Sequence, residues 1–91
     1  MSEEPNYDGR TVAEWIAALG ERSLYRREQA MHSLEQLAPH AIAAVPRLWE
    51  LAEHRNWDIR YRALSAIYVI GCAVDIELAR RARVPLERML S

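Results

Sequence analysis

Lysine and phenylalanine are missing from this chain, cysteine occurs once, and glycine occurs only three times. Each scarcity excludes something. The single cysteine, Cys72, cannot form an internal disulfide, which removes the small stapled secreted folds. Three glycines leave no glycine-rich phosphate loop. Long hydrophobic runs are scarce too. Within the most persistently apolar stretch, Asn56–Gly71 and just beyond, the uncharged run Ala63–Val74 has only twelve residues and is flanked by Arg60, Arg62 and Asp75, whereas a spanning helix needs about 20. Neither sign of charge dominates: 12 basic and 13 acidic residues give a formal net charge of −1. That balance makes no electrostatic case for nucleic acid or an acidic membrane. The opening MSEEPNYDG is acidic and has no apolar segment of the secretory kind. These features lead us to expect a cytoplasmic protein in a reducing compartment, not attached to a membrane. With no lysine, every basic residue is arginine, the side chain suited to bidentate recognition, although a GC-rich genome produces the same bias.

The chain has 91 residues, 51% hydrophobic and 27% charged, enough for one globular domain with an adequate core. Residues 1–10 read as a flexible acidic lead rich in turn formers (Pro5, Asn6, Asp8, Gly9), with Tyr7 able to fold back onto the first helix. Thr11 caps a helix whose apolar stripe is Val12, Trp15, Ile16 and Leu19, with Glu14 completing a capping box and Gly20 ending it. Ser23 caps a second helix that runs to about Ala38, with Ala30, Met31, Leu34 and Leu37 facing the core. A third, about His40–His54, carries Ile42, Val45, Leu48, Trp49, Leu51 and Ala52 inward, and Pro46 is expected to kink it. Asn56 caps a central helix ending at Gly71, apolar nearly all round and therefore buried between neighbours. A last helix, about Asp75–Leu90, contains Pro85. No strand pattern is visible, so the class is all-α with five helices. Cys72 lies in an apolar run and reads as a small buried side chain.

Sliding the sequence by 33 residues aligns Val12 with Val45, Ser23 with Asn56, and Arg27 with Arg60. It also pairs Ala30 with Ala63, Leu34 with Ile67, and Leu37 with Ile70. Caps and core stripes coincide together, which indicates a repeated helix–turn–helix unit. We take 11–38 as the first unit, 40–71 as the second and 75–90 as a partial third.

These motifs resemble the short HEAT-like repeats, including those grouped with phycobilisome lyases. Ala44, Val45, Pro46 and Leu48 match the A-V-P-x-L of a first helix. Ile59, Arg60, Ala63 and Ile67 match the opening of a second. The resemblance implies a short right-handed α-solenoid of about two and a half repeats. It also implies that Arg27 and Arg60 stack along the solenoid with an acidic residue of the preceding turn, a position held by Glu21 in one unit and His54 in the other. Arg26 departs from the pattern, standing where Ile59 supplies a core aliphatic.

No catalytic constellation stands out. Glu28/His32 and Glu50/His54 are i,i+4 pairs with too few ligands for a metal site, and we read them as surface ion pairs. Ser23, Ser33 and Ser65 lie in no nucleophile context, and Ser33 and Ser65 either face solvent or satisfy a backbone carbonyl. We expect no cofactor, no metal and no enzymatic activity. Trp57, just after a helix cap, is the tryptophan with least reason to be buried. With Arg60 and Tyr61 beside it, it is the expected contact for a protein partner. Arg80, Arg81 and Arg83 concentrate positive charge on the last helix and could contact phosphates, but they fan over different faces. The expected function is a protein–protein interaction module that could self-associate through the last helix. The alternatives are nucleic-acid binding through those arginines and an accessory role in bilin attachment.

Overall fold

The computed structural model describes residues 4–91, and its first element follows from two turn residues. Asp8 and Gly9 have φ of 53° and 77°, the left-handed pair that a two-residue hairpin turn requires. They join strands β1 (Asn6–Tyr7) and β2 (Arg10–Thr11), antiparallel, with Asn6 opposite Thr11 and Tyr7 opposite Arg10. This corrects the expectation that no strand is present. Of the expected flexible lead at 1–10, residues 1–3 lie outside the described residues, and Tyr7 and Arg10 are anchored. The indole N–H of Trp15 donates to the Tyr7 carbonyl at 3.0 Å, and the Arg10 guanidinium lies over the Trp15 ring, 5.1 Å from its centre.

Helix α1 (Val12–Ala18) opens on the expected capping box. The Glu14 N–H donates to Thr11 Oγ1 at 3.3 Å, and the Thr11 N–H donates to Glu14 Oε1 at 3.0 Å. The Thr11 backbone and hydroxyl donors hold the Glu14 carboxyl below its ordinary value. Gly20 follows the helix without adopting the left-handed conformation of a helix-ending glycine. Helix α2 (Leu24–Gln36) is capped by Ser23, whose Oγ accepts from the Arg26 N–H at 3.3 Å.

The third helix is shorter than its periodicity suggested. Residues Ala38–His40 and Ile42–Ala44 form two 3₁₀ turns, and only Val45–Leu51 is α-helical (α3). Pro46 therefore sits in the first turn of α3, where its missing N–H leaves no bond unmade, and does not kink the helix interior. Helix α4 (Trp57–Val74) begins at its Asn56 cap, with Oδ1 accepting from the Ile59 N–H at 3.2 Å, and passes through Gly71 for another turn. Asp75 alone connects it to α5 (Ile76–Leu90), capping α5 through Oδ1 on the N–H groups of Glu77 and Leu78.

The 33-residue offset has structural counterparts. Helices α1 and α3 begin at Val12 and Val45 and end at Ala18 and Leu51; α2 and α4 begin at Leu24 and Trp57. Every one of those bounds differs by 33. Trp15 and Leu48, Ala30 and Ala63, Leu34 and Ile67, and Leu37 and Ile70 occupy matching places, and all are buried. Helix α1 packs on α2, α3 on α4, and α2 on α4, so the two pairs stack through their longer helices. Helix α5 lies along α4, burying Leu78, Ala79 and Ala82. No described helix is long and apolar enough to cross a membrane.

Gly71 sets how closely α5 can approach. A Cβ there would lie 2.4 Å from the Ala79 nitrogen and 2.8 Å from its Cα, both backbone atoms that cannot swing away. The same helix turn that appeared to end at Gly71 thus continues, and the glycine serves the crossing. At Gly20 an added Cβ would meet chiefly the mobile end of Arg47, at 3.2 Å. Gly71→Ala is expected to cost about 1–3 kcal/mol by overpacking, and Gly20→Ala to be close to neutral. Urea denaturation of the two variants checks this, and equal effects would contradict the close approach.

Candidate interaction surfaces

Each helix pair is entered by an arginine that reaches back to the turn before it. In the first pair, Arg27 Nε–H donates to the Glu21 carbonyl; in the second, Arg60 donates through one terminal nitrogen to the carbonyls of His54 (3.0 Å) and Arg55 (2.9 Å). Positions 21 and 54 are again 33 apart. The partner of each arginine is a backbone oxygen, not the acidic side chain that the family resemblance implied. The Glu21 carboxylate turns instead to Arg26, at 3.5 Å. His54 Nδ1 accepts from the Asn56 N–H at 3.0 Å, so the neutral ring carries its proton on Nε2. That nitrogen lies 3.4 Å from the Arg27 guanidinium. Two donors face each other there, and the approach is a packing contact between the pairs, not a hydrogen bond.

Trp57 is 44% exposed and stacks on Tyr61, with ring centres 5.3 Å apart and planes 4° from parallel. Its exposure follows from position, because Leu24, the first residue of α2, is 43% exposed at the matching place. Trp57 and Tyr61 are brought together at the surface; Arg60, expected beside them, has its guanidinium occupied by the turn carbonyls. The three arginines expected to concentrate charge on α5 are not gathered. Arg80 pairs with Glu77 at 3.0 Å, Arg83 with Glu87 at 3.4 Å, and Arg81 lies over the Trp49 ring of α3, 5.7 Å from its centre.

Other expectations change in detail. Cys72 is exposed, not buried, because the apolar run that contains it wraps round a helix whose far side meets water. The neighbouring Cys72 side chain, with a smaller effect of burial, raises the Tyr68 pKa. Glu35 is raised by burial. Ser33 is buried and its hydroxyl donates to the Gln29 carbonyl at 2.8 Å. Glu28 and Glu50 pair with Arg62 (3.6 Å) and Arg47 (3.5 Å), not with the histidines four residues on. Among the described residues no three potential ligands converge on a metal position.

One feature was not visible in the sequence. Two clefts open along α2 and share Gln29. The first, about 250 Å³, is lined by Arg10, Trp15, Ala18, Glu21, Tyr25 and Arg26 as well. The second, about 470 Å³, is lined by Tyr7, Asp8, His32 and Ser33. Positions 25, 26, 29, 32 and 33 share one side of a helix by spacing alone, but the opposing wall is the hairpin, which periodicity could not reveal.

Compared with family models, with curated proteins and with solved structures, the chain matches none.

Removing Arg60 leaves two turn carbonyls without a charged donor, so Arg60→Ala is expected to cost about 1–3 kcal/mol. Arg62 makes only a half-exposed ion pair with Glu28, and Arg62→Ala should cost no more than about 1 kcal/mol. Equal losses in urea denaturation would remove the structural role given to Arg60.

Proposed function

We propose that this chain is a short HEAT-like α-solenoid, two helix pairs closed by α5, that serves as a non-catalytic protein-interaction module in the cytoplasm. The observation that supports this reading is the 33-residue offset carried through helix bounds, caps, buried positions and the arginine-to-turn bonds at once. Stacked units of this kind present extended surfaces whose side chains are free to specialise for a partner.

The alternatives gain less support. A nucleic-acid surface on α5 would need a free basic stripe, and Arg80, Arg81 and Arg83 are each occupied within the protein. Self-association through α5 would have to use Ile76, Val84 and Leu90, which are exposed but interleaved with charged residues along the helix. Among the described residues no arrangement favours bilin chemistry. A protein partner is therefore ranked first.

The test is co-purification with the tagged chain from lysate of the source organism, with and without nuclease. A stoichiometric protein partner retained after nuclease treatment is the expected result. Bound material that disappears with nuclease would overturn the reading and return attention to the arginines of α5.

A further inference from the structure

We propose that the groove along α2, walled by the N-terminal hairpin, receives a short acidic peptide segment, with a glutamate or aspartate side chain held by Arg10 and Arg26. The inference rests on the interaction-module reading and names the class of partner and the place it docks. Both clefts along α2 include Gln29, so they adjoin. From Tyr25 to Ser33 the helix rises about 12 Å at about 1.5 Å per residue, room for roughly four residues of extended chain at about 3.3 Å each.

The charges select the occupant. Arg10 forms no ion pair among the described residues; its guanidinium is held against the Trp15 ring, which fixes the plane and leaves the N–H edge to donate. Arg26 meets Glu21 at 3.5 Å, yet its side chain remains 61% exposed. Two guanidinium groups thus border one cleft in which Glu21 is the only lining carboxylate, with Glu14 close enough to Arg10 to feel its charge from outside the lining, an arrangement that favours a further carboxylate. Gln29 can donate to and accept from a peptide backbone, and Tyr25, 73% exposed, stands at the rim. Glu21 in one cleft and Asp8 in the other disfavour a nucleic-acid strand, whose phosphates would repeat along the whole groove. An acidic peptide with neutral flanks meets the arginines without that repulsion.

The experiment is a two-dimensional NMR titration of the full chain with the capped hexapeptide AGEEAG, alongside its amide counterpart AGQQAG. The expected result is a saturable, salt-sensitive shift of the Trp15 indole N–H and the Gln29 side-chain amide with AGEEAG and none with AGQQAG. The Arg10→Gln/Arg26→Gln double variant should weaken binding by at least about tenfold with helical circular dichroism unchanged. Should that variant lose its fold, Arg26→Gln alone, which leaves the hairpin contact with Trp15 intact, should still weaken binding. Equal response to both peptides, no saturable shift at millimolar peptide, or displacement of AGEEAG by an equimolar oligothymidylate would each overturn the proposal. Shifts centred on the Trp57 indole would also overturn it while leaving the interaction-module reading in place. That reading falls separately, through the nuclease result.

Discussion

Helix α4 is apolar on more sides than one neighbour can cover, and the architecture follows from covering it. Ile59, Ala63, Ala66, Ile67 and Ile70 are all essentially inaccessible, and Leu64 and Gly71 extend the buried surface to an adjacent side. The surrounding layers are α2, α3, the 3₁₀ turn at Ala38–His40, and α5. Each large aliphatic side chain buried there contributes about 1.5–3 kcal/mol. A chain of this size has little core to spare, and α4 supplies more of it than any other helix. Helix α5 completes the cover by its close approach at Gly71 and turns its charged side to water.

The two helix pairs are joined by the Arg27–His54 packing contact and the Arg62–Glu28 ion pair as well as by their apolar faces. Arg27 and Arg60 each satisfy a carbonyl of the turn before their own helix, and the turn that Arg60 binds carries the histidine that Arg27 packs against. One guanidinium therefore fixes the entry into its own pair and touches the next. An arginine is suited to this because its planar fork stays charged and donates in several directions. The groove along α2 is framed by the same region of the molecule, since Arg26, beside Arg27, faces it with Glu21.

Local chemistry was legible in the sequence and non-local geometry was not. Thr11, Ser23 and Asn56 cap the helices they were expected to cap, because a cap depends on residues two or three positions away. The 33-residue offset was also readable, since matched caps and stripes repeat in register. The hairpin was missed because its strands are two residues each, too short for alternation, although Asp8 and Gly9 had been read as turn formers. Gly71 was misread as a stop because the need for its bare Cα comes from Ala79 on another helix. Cys72 was misread because apolar neighbours in sequence fan round a helix. Trp57 was placed at the surface from its position after a cap, while the arginine and aromatic residues around the α2 clefts needed the fold to bring them together.

The central claim is that α4 is the shared wall on which the other helices depend. Native-state hydrogen exchange followed residue by residue addresses it directly. The α4 amides from Ala63 to Ile70 should exchange only through global unfolding, with α2 next in protection and α1 and α5 opening at lower free energy. If α4 instead opens together with α5 while α1 and α2 stay protected, the two helix pairs are not organised around it and the account fails.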